Sequence, residues 1–266
     1  MNRLPAFGVK TPMRIQIAVV LISLAAGVAE LDAQTSVFSP DFQSTIHVFP
    51  QFVDGAAGGK AYTSTFQISA TEFYGATRCT LALLSISATT LIDARGVAAT
   101  NTVFNFILGA SGWQIFRSQG ALNLKAGSAV LQCDRAVTAH LIYGELAGGK
   151  TIAETTVSAA PSGRMVQILA DERNEARLGL AIANPFSAAN TYKLSVLDID
   201  GRLLSIVYIT VGYGQSFTRF LDEIAAVPED HRGLVLIESF GAADVYAAGL
   251  RFTGDSFTAI PAMVRR

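Results

Sequence analysis

The sequence predicts an all-β protein: two tandem β-sandwich domains, with one short helix in the second, preceded by an N-terminal signal helix. Three observations carry that prediction. Beyond residue 40 the apolar residues come in short runs bounded by turn signals, the pattern of strands. The two halves repeat one order of such runs. A basic, then apolar segment stands ahead of both.

Arg3, Lys10 and Arg14 precede an apolar stretch from Ile15 to Val28. Its 14 residues fall short of the roughly 20 needed to span a bilayer, which favours a secretory signal peptide over residues 1–33. Cleavage after Ala33 places Leu31 and Ala33 at the recognition positions; cleavage after Ala29, with Gly27, is the alternative. Met13 would also start a compact signal. The rival reading is an uncleaved anchor. No cysteine lies near either cleavage position, so lipid attachment there is excluded. The expected destination is secreted, periplasmic or outer-envelope, with no membrane span after cleavage.

The strands follow in order. The first half gives Tyr62–Ala70, Cys79–Ser87, Val103–Leu108, Ala129–Cys133, Ala139–Leu146 and Thr151–Val157. The second gives Val166–Ala170, Leu178–Ala183, Tyr192–Leu197, Leu203–Val211, Leu234–Glu238, Val245–Phe252 and Phe257–Ile260. Gly58-Gly59, Gly148-Gly149, Asp200-Gly201 and Gly254-Asp255 supply the positive φ angles of tight hairpins. The one helix expected is Phe217–Ala226, capped by Ser216 and stopped by Pro228. Cys79–Leu91 lies over Tyr192–Leu204 at a shift of 113, and Gly127–Leu131 matches Gly233–Ile237. The halves also close alike, at Ala160-Pro161 and Ile260-Pro261. A duplication accounts for this, with domains at 40–161 and 162–266 that meet near Pro161-Ser162-Gly163. Each is large enough to bury a core.

Four segments, His47–Gly55 (HVFPQFVDG), Gly179–Pro185 (GLAIANP), Asp198–Gly201 (DIDG) and Gly249–Phe252 (GLRF), carry a resemblance. Together they resemble a group of uncharacterised secreted tandem β-sandwich proteins of acidobacterial-type bacteria. The resemblance covers about residues 45–262 and implies paired sandwich modules and export; it implies no reaction or ligand. The first module departs from the pattern: Ile68–Glu72 (ISATE) stands where an Asn-Pro strand end belongs.

Composition narrows the function classes. Twenty Lys+Arg against 21 Asp+Glu leave a net charge of -1, with 15% of residues charged and 50% hydrophobic. No basic surplus favours nucleic acid, and the low charge permits self-association. Gly144–Thr151 (GELAGGKT) satisfies G-x-x-x-x-G-K-[ST], but the β-branched run after Lys150 cannot supply the helix that a phosphate loop needs. A Gly-Gly hairpin is the better reading. Asp198 and Asp200-Gly201 match the start of a calcium loop, yet the twelfth position is Ile209. His47, His140 and His231 show no zinc spacing, and no G-x-S-x-G elbow occurs. Glu72, Glu145, Glu154, Asp198, Asp222 and Glu238 offer carboxylates for glycoside hydrolysis, with nothing to pair them. No metal or cofactor is called for, and no catalytic residue is assigned.

Two features carry expectations about sites. Cys79 and Cys133 form either a disulfide of the first module, as export favours, or two buried thiols. Trp113, the chain's one tryptophan, either completes the end of a sandwich core or serves as an exposed anchor for a glycan or protein. A lone Trp is more often the former. Phe73, Tyr74, Phe116, Phe186 and Tyr213 are further aromatics near turns. The expected function is a non-catalytic exported binding or structural module, its partner an unknown protein or glycan at the cell surface. An exported carbohydrate-active enzyme or a soluble carbohydrate-binding protein is the alternative.

Overall fold

The computed structural model describes residues 45–265 except 73, 121, 122, 187 and 255; residues 1–33, where a signal peptide is expected, lie outside them. The first half forms β1 (Thr45–Ala57), β2 (Lys60–Ala70), β3 (Thr77–Leu84), β4 (Thr89–Asp93) and β5 (Ala98–Asn101). It continues with β6 (Val103–Leu108), β7 (Trp113–Ser118), β8 (Lys125–Cys133), β9 (Val137–Ala147) and β10 (Lys150–Ser158). The second half forms β11 (Met165–Asp171), β12 (Arg177–Asn184), β13 (Asn190–Asp198), β14 (Leu203–Val211) and β15 (Gln215–Phe220). After the helix α1 (Leu221–Ile224) come β16 (Arg232–Ser239), β17 (Tyr246–Thr253), β18 (Ser256–Ile260) and β19 (Met263–Val264). The fold is all-β, in antiparallel sheets.

Ten strands of the first half join into one sheet that folds over at β1. Residues 45–54 of β1 pair with β8, whereas residues 55–57 turn to pair with β2. An irregularity between Phe49 and Phe52 marks the bend. The two layers so formed are sheet A, in the order β6-β3-β8-β1, and sheet B, in the order β5-β4-β7-β2-β9-β10. The second half separates fully into sheet C, β15-β12-β17-β18, and sheet D, β14-β13-β16-β11-β19. Sheet A matches sheet D and sheet B matches sheet C, strand for strand, once the β4–β5 hairpin and β19 are set aside. The two halves are one topology used twice.

The shift of 113 falls on this equivalence. Cys79 opens the β3 ladder opposite Cys133, and Tyr192 opens the β13 ladder opposite Ser239. Leu81 and Leu83 point into the first core as Leu194 and Val196 point into the second. Gly127 and Gly233 occupy matching places for one reason. A Cβ on Gly127 would stand 2.3 Å from the carbonyl oxygen of Leu84, and one on Gly233 would stand 1.9 Å from that of Leu197.

The layers stack through alternation of residues. In β12, Leu178, Leu180 and Ile182 enter the second core, and the small Gly179, Ala181 and Ala183 face the other way. Ala183 meets Val48 and Val130 from the outer face of sheet A, with Leu84 and Tyr246 beside them. The first core is also completed from the second half: Leu250 and Phe257 pack in it beside Val157. The GLAIANP segment therefore supplies a core with one face and an interlayer contact with the other. Its Asn184 is buried and donates from Nδ2 to the carbonyls of Ala188 and Val211, both at 2.9 Å. Sheets A and C face each other, and the outer faces of B and D are turned away from this contact.

The expected helix Phe217–Ala226 is corrected. Residues up to Phe220 are strand β15, because β12 offers them a ladder: Phe217 lies opposite Ile182 and Phe220 opposite Gly179. Only Leu221–Ile224 is helical, and Ser216 lies within the strand rather than capping a helix.

Candidate functional site

Trp113 begins β7 straight after a tight turn, in which Ser111 has φ 53° and Gly112 donates to the carbonyl of Gly109 at 2.8 Å. The period of two then divides the strand. Phe116 is buried against Phe106 and Phe104, whereas Trp113 lies on the outer face of sheet B, 63% exposed. It does not complete the core. Cross-strand register sets its neighbours: Ser69 stands between Trp113 and Thr138, and Gln67 stands between Ile115 and His140. With Ile68 and Gln114 these residues line a shallow groove of about 350 Å³. At the same end of the sheet, Arg135 donates to Glu72 Oε2 (3.0 Å) and to the carbonyl of Tyr74 (2.9 Å). Tyr74, held in that loop, is 85% exposed. Phe73 lies outside the described residues.

The groove joins an aromatic ring to amide, hydroxyl and imidazole groups, and its lining carries no carboxylate, lysine or arginine. Such a surface can stack an apolar ring face and hydrogen-bond the substituents around it. It offers no pair of acids.

The six carboxylates weighed for hydrolysis do not converge in it. Glu72 is held by Arg135, Glu145 by Lys60 at 2.5 Å, Asp222 by Arg177 at 2.6 Å and Glu238 by Lys193 at 3.6 Å. Glu154 is on β10 and exposed. Asp198 is spent on a turn, where its Oδ1 accepts from the amides of Asp200 (3.0 Å) and Arg202 (2.7 Å). Asp93 does the same for Arg95 and Val97 in the β4–β5 turn, so the Asp-x-x-Gly unit is a hairpin device of both halves. Lys150 follows Gly148 and Gly149 (φ 57° and 77°) in the β9–β10 hairpin, and Lys60 follows Gly58 and Gly59 (φ 62° and 80°) in the β1–β2 hairpin. A strand, not a helix, follows Thr151.

Cys79 and Cys133 are bonded, with Cα atoms 4.2 Å apart on adjacent strands. Tyr192 and Ser239 take the equivalent places in the second half, so a buried ring fills there what the disulfide fills here. His47 occupies the place of Val166 at the inner face of its edge strand, which follows from the partners Leu131 and Ile237. Burial holds its pKa below the ordinary value, and likewise that of His231. Among the described residues no group of three His, Cys, Asp or Glu side chains could hold a metal ion. No helix among them is long and apolar enough to cross a membrane.

At the far end of the second sandwich, Glu172 is buried and accepts a hydrogen bond from the Leu178 amide at 2.9 Å. Burial raises its pKa above the ordinary 4.5, and the nearby Asp222 adds to this. The folded state thus holds the Glu172 proton more tightly than the unfolded state. Stability from this group is full below pH 4.5 and is lost as pH rises through the raised pKa. Glu172→Gln keeps the acceptor and removes the charge. The variant should be more stable than wild type at neutral pH, and the gap should close at pH 4 and below, as read by urea midpoints across pH. A gap that is constant with pH would contradict it.

No known family model, curated protein or solved structure matches the chain.

Proposed function

We propose that this chain is a non-catalytic, exported binding module that holds a neutral carbohydrate on the outer face of sheet B. One observation carries the reading: the sole tryptophan stands exposed in a groove ringed by Gln67, Ser69, Thr138 and His140. A free indole on a sheet face, in a groove whose lining offers donors and acceptors but no charged side chain, suits a pyranose ring better than an anion or a basic peptide. The disulfide supports an oxidising destination, in keeping with the signal segment expected over residues 1–33. The cell surface or extracellular space is the destination proposed. The rival reading as a carbohydrate-active enzyme finds no paired acids in this groove.

The test is retention on immobilised neutral polysaccharides (cellulose, xylan, chitin and β-1,3-glucan) by the purified protein and by Trp113→Ala. Loss of a stacking anchor of this kind costs about 2 kcal/mol or more, roughly a 30-fold loss of affinity. The fold should be unchanged, because the indole is mostly exposed. Retention of wild type and variant alike, or of neither, would overturn the reading.

A further inference from the structure

Among the described residues, strand β14 of sheet D is the longest sheet edge without a charged side chain. Sheet edges offer unpaired backbone groups, and folded proteins guard them with charge, shortness or cover. Here the β11 edge is covered by β19, and the β1 edge is met by Ala160, whose amide donates to Val48 O at 2.8 Å. Strand β10 carries Lys150 and Glu154, β15 carries Arg219, and β5 has only four residues. Strand β14 has none of these devices. It runs nine residues, LLSIVYITV, without a charge, a proline or a glycine, and among the described residues it pairs with β13 alone. Strand β6, its counterpart in the first half, is also uncharged but has six residues.

Two large apolar side chains stand outward on this edge, beside Ser195 and Lys193 of β13. Ile206 and Tyr208 are exposed on the outer face, and the Tyr208 ring lies 5.8 Å from that of Phe240. Cross-strand rows extend the patch inward: Leu197, Leu234 and Leu169 share one row, and Leu236 lies in the row of Ile206. The ladder from Ser205 to Val211 is regular.

We infer that two copies of the chain associate through β14, antiparallel about a two-fold axis, so that their D sheets become one continuous sheet. The partner is a second copy because the strand is complementary to itself. With the two-fold axis at Val207, residues 205–211 of one copy meet residues 203–209 of the other, all uncharged, and no like charges oppose. Ile206 and Tyr208 then form cross-strand pairs of β-branched and aromatic side chains, a favoured combination. The net charge of -1 adds little repulsion between copies. The groove at Trp113, on the outer face of sheet B, stays open in both copies. This inference stands on β14 alone and does not depend on what the groove binds.

The test is the mass of the purified protein by sedimentation across a concentration series. Wild type should approach twice the mass of one chain as concentration rises. Tyr208→Lys and Ile206→Lys each place a charge on the joining strand and should weaken association roughly tenfold or more. Both side chains are exposed, so the thermal midpoint should hold, which separates lost association from lost fold. Ile107→Lys on β6 should leave association unchanged. Because both native cysteines are already bonded, the double variant Ile206→Cys, Tyr208→Cys provides a second readout: position 206 of one copy then faces position 208 of the other, and mild oxidation should cross-link two copies. A single-chain mass at every concentration, a dimer indifferent to lysine at 206 and 208, or one broken only by Ile107→Lys would overturn the proposal.

Discussion

Replacing Cys79 and Cys133 together by alanine is expected to lower the stability of the protein by about 4 kcal/mol. The two residues are 54 positions apart in sequence, so their bond removes a large loop-closure entropy from the unfolded chain. Both are buried within the first core, where loss of the sulfurs also leaves space. For a chain of this size the fall in thermal midpoint is roughly 2–4 °C per kcal/mol. The strand pairing itself should survive, because Tyr192 and Ser239 maintain the same β-ladder position in the second half without a bond. Far-UV circular dichroism at low temperature should thus match wild type while the urea midpoint drops. A loss below about 1 kcal/mol would show that the bond does not constrain the unfolded state in this way.

A charge placed between sheets A and C should do as much damage. Val130 is fully buried there, against Val48 and Ala183. An aspartate at this point would meet no cation among those neighbours, and an unpaired buried charge costs about 3–5 kcal/mol. The consequence should reach both sandwiches, since Leu250 and Phe257 of the second half are part of the first core. Wild type should accordingly unfold in one transition, traced alike by Trp113 fluorescence from the first half and by circular dichroism from the whole. Val130→Asp should move both traces together to lower urea. Two separate transitions in wild type would contradict a joined core.

The strands that sequence made plain are those whose alternation is simple and whose ends carry turn residues. Val103–Leu108 and Leu203–Val211 match β6 and β14 end to end. Strand β1 was not expected because its bend at Pro50-Gln51 interrupts the period of two. Strands β4 and β5 are short and rich in threonine and alanine, with little apolar contrast. The helix was overextended because Phe217–Ala226 also satisfies a helical pattern; only the ladder with β12 shows which pairing prevails. The disulfide is one of two readings that the sequence leaves open; the register that sets Cys79 opposite Cys133 on adjacent strands decides it. The groove was not. Trp113 follows a glycine-rich turn, and sequence cannot tell on which face of a strand such a residue emerges. Gln67, Ser69, Thr138 and His140 come from strands far apart in sequence, brought together only by register. One signal was available in retrospect: Arg117 favours the solvent side, and the period of two puts Ile115 and Trp113 on its face.

The most direct measurement uses Trp113 itself. As the chain's one tryptophan, it makes every change in indole emission a report from the groove. The protein would be titrated with soluble cello-, xylo-, chito- and laminari-oligosaccharides, with emission and acrylamide quenching followed together. Occupation of the groove predicts a saturable blue shift, with protection from quencher at the same midpoint, for at least one of these sugars. Emission and quenching that stay constant throughout, alongside undiminished retention on the matching polysaccharide, would place the binding surface elsewhere and contradict the account.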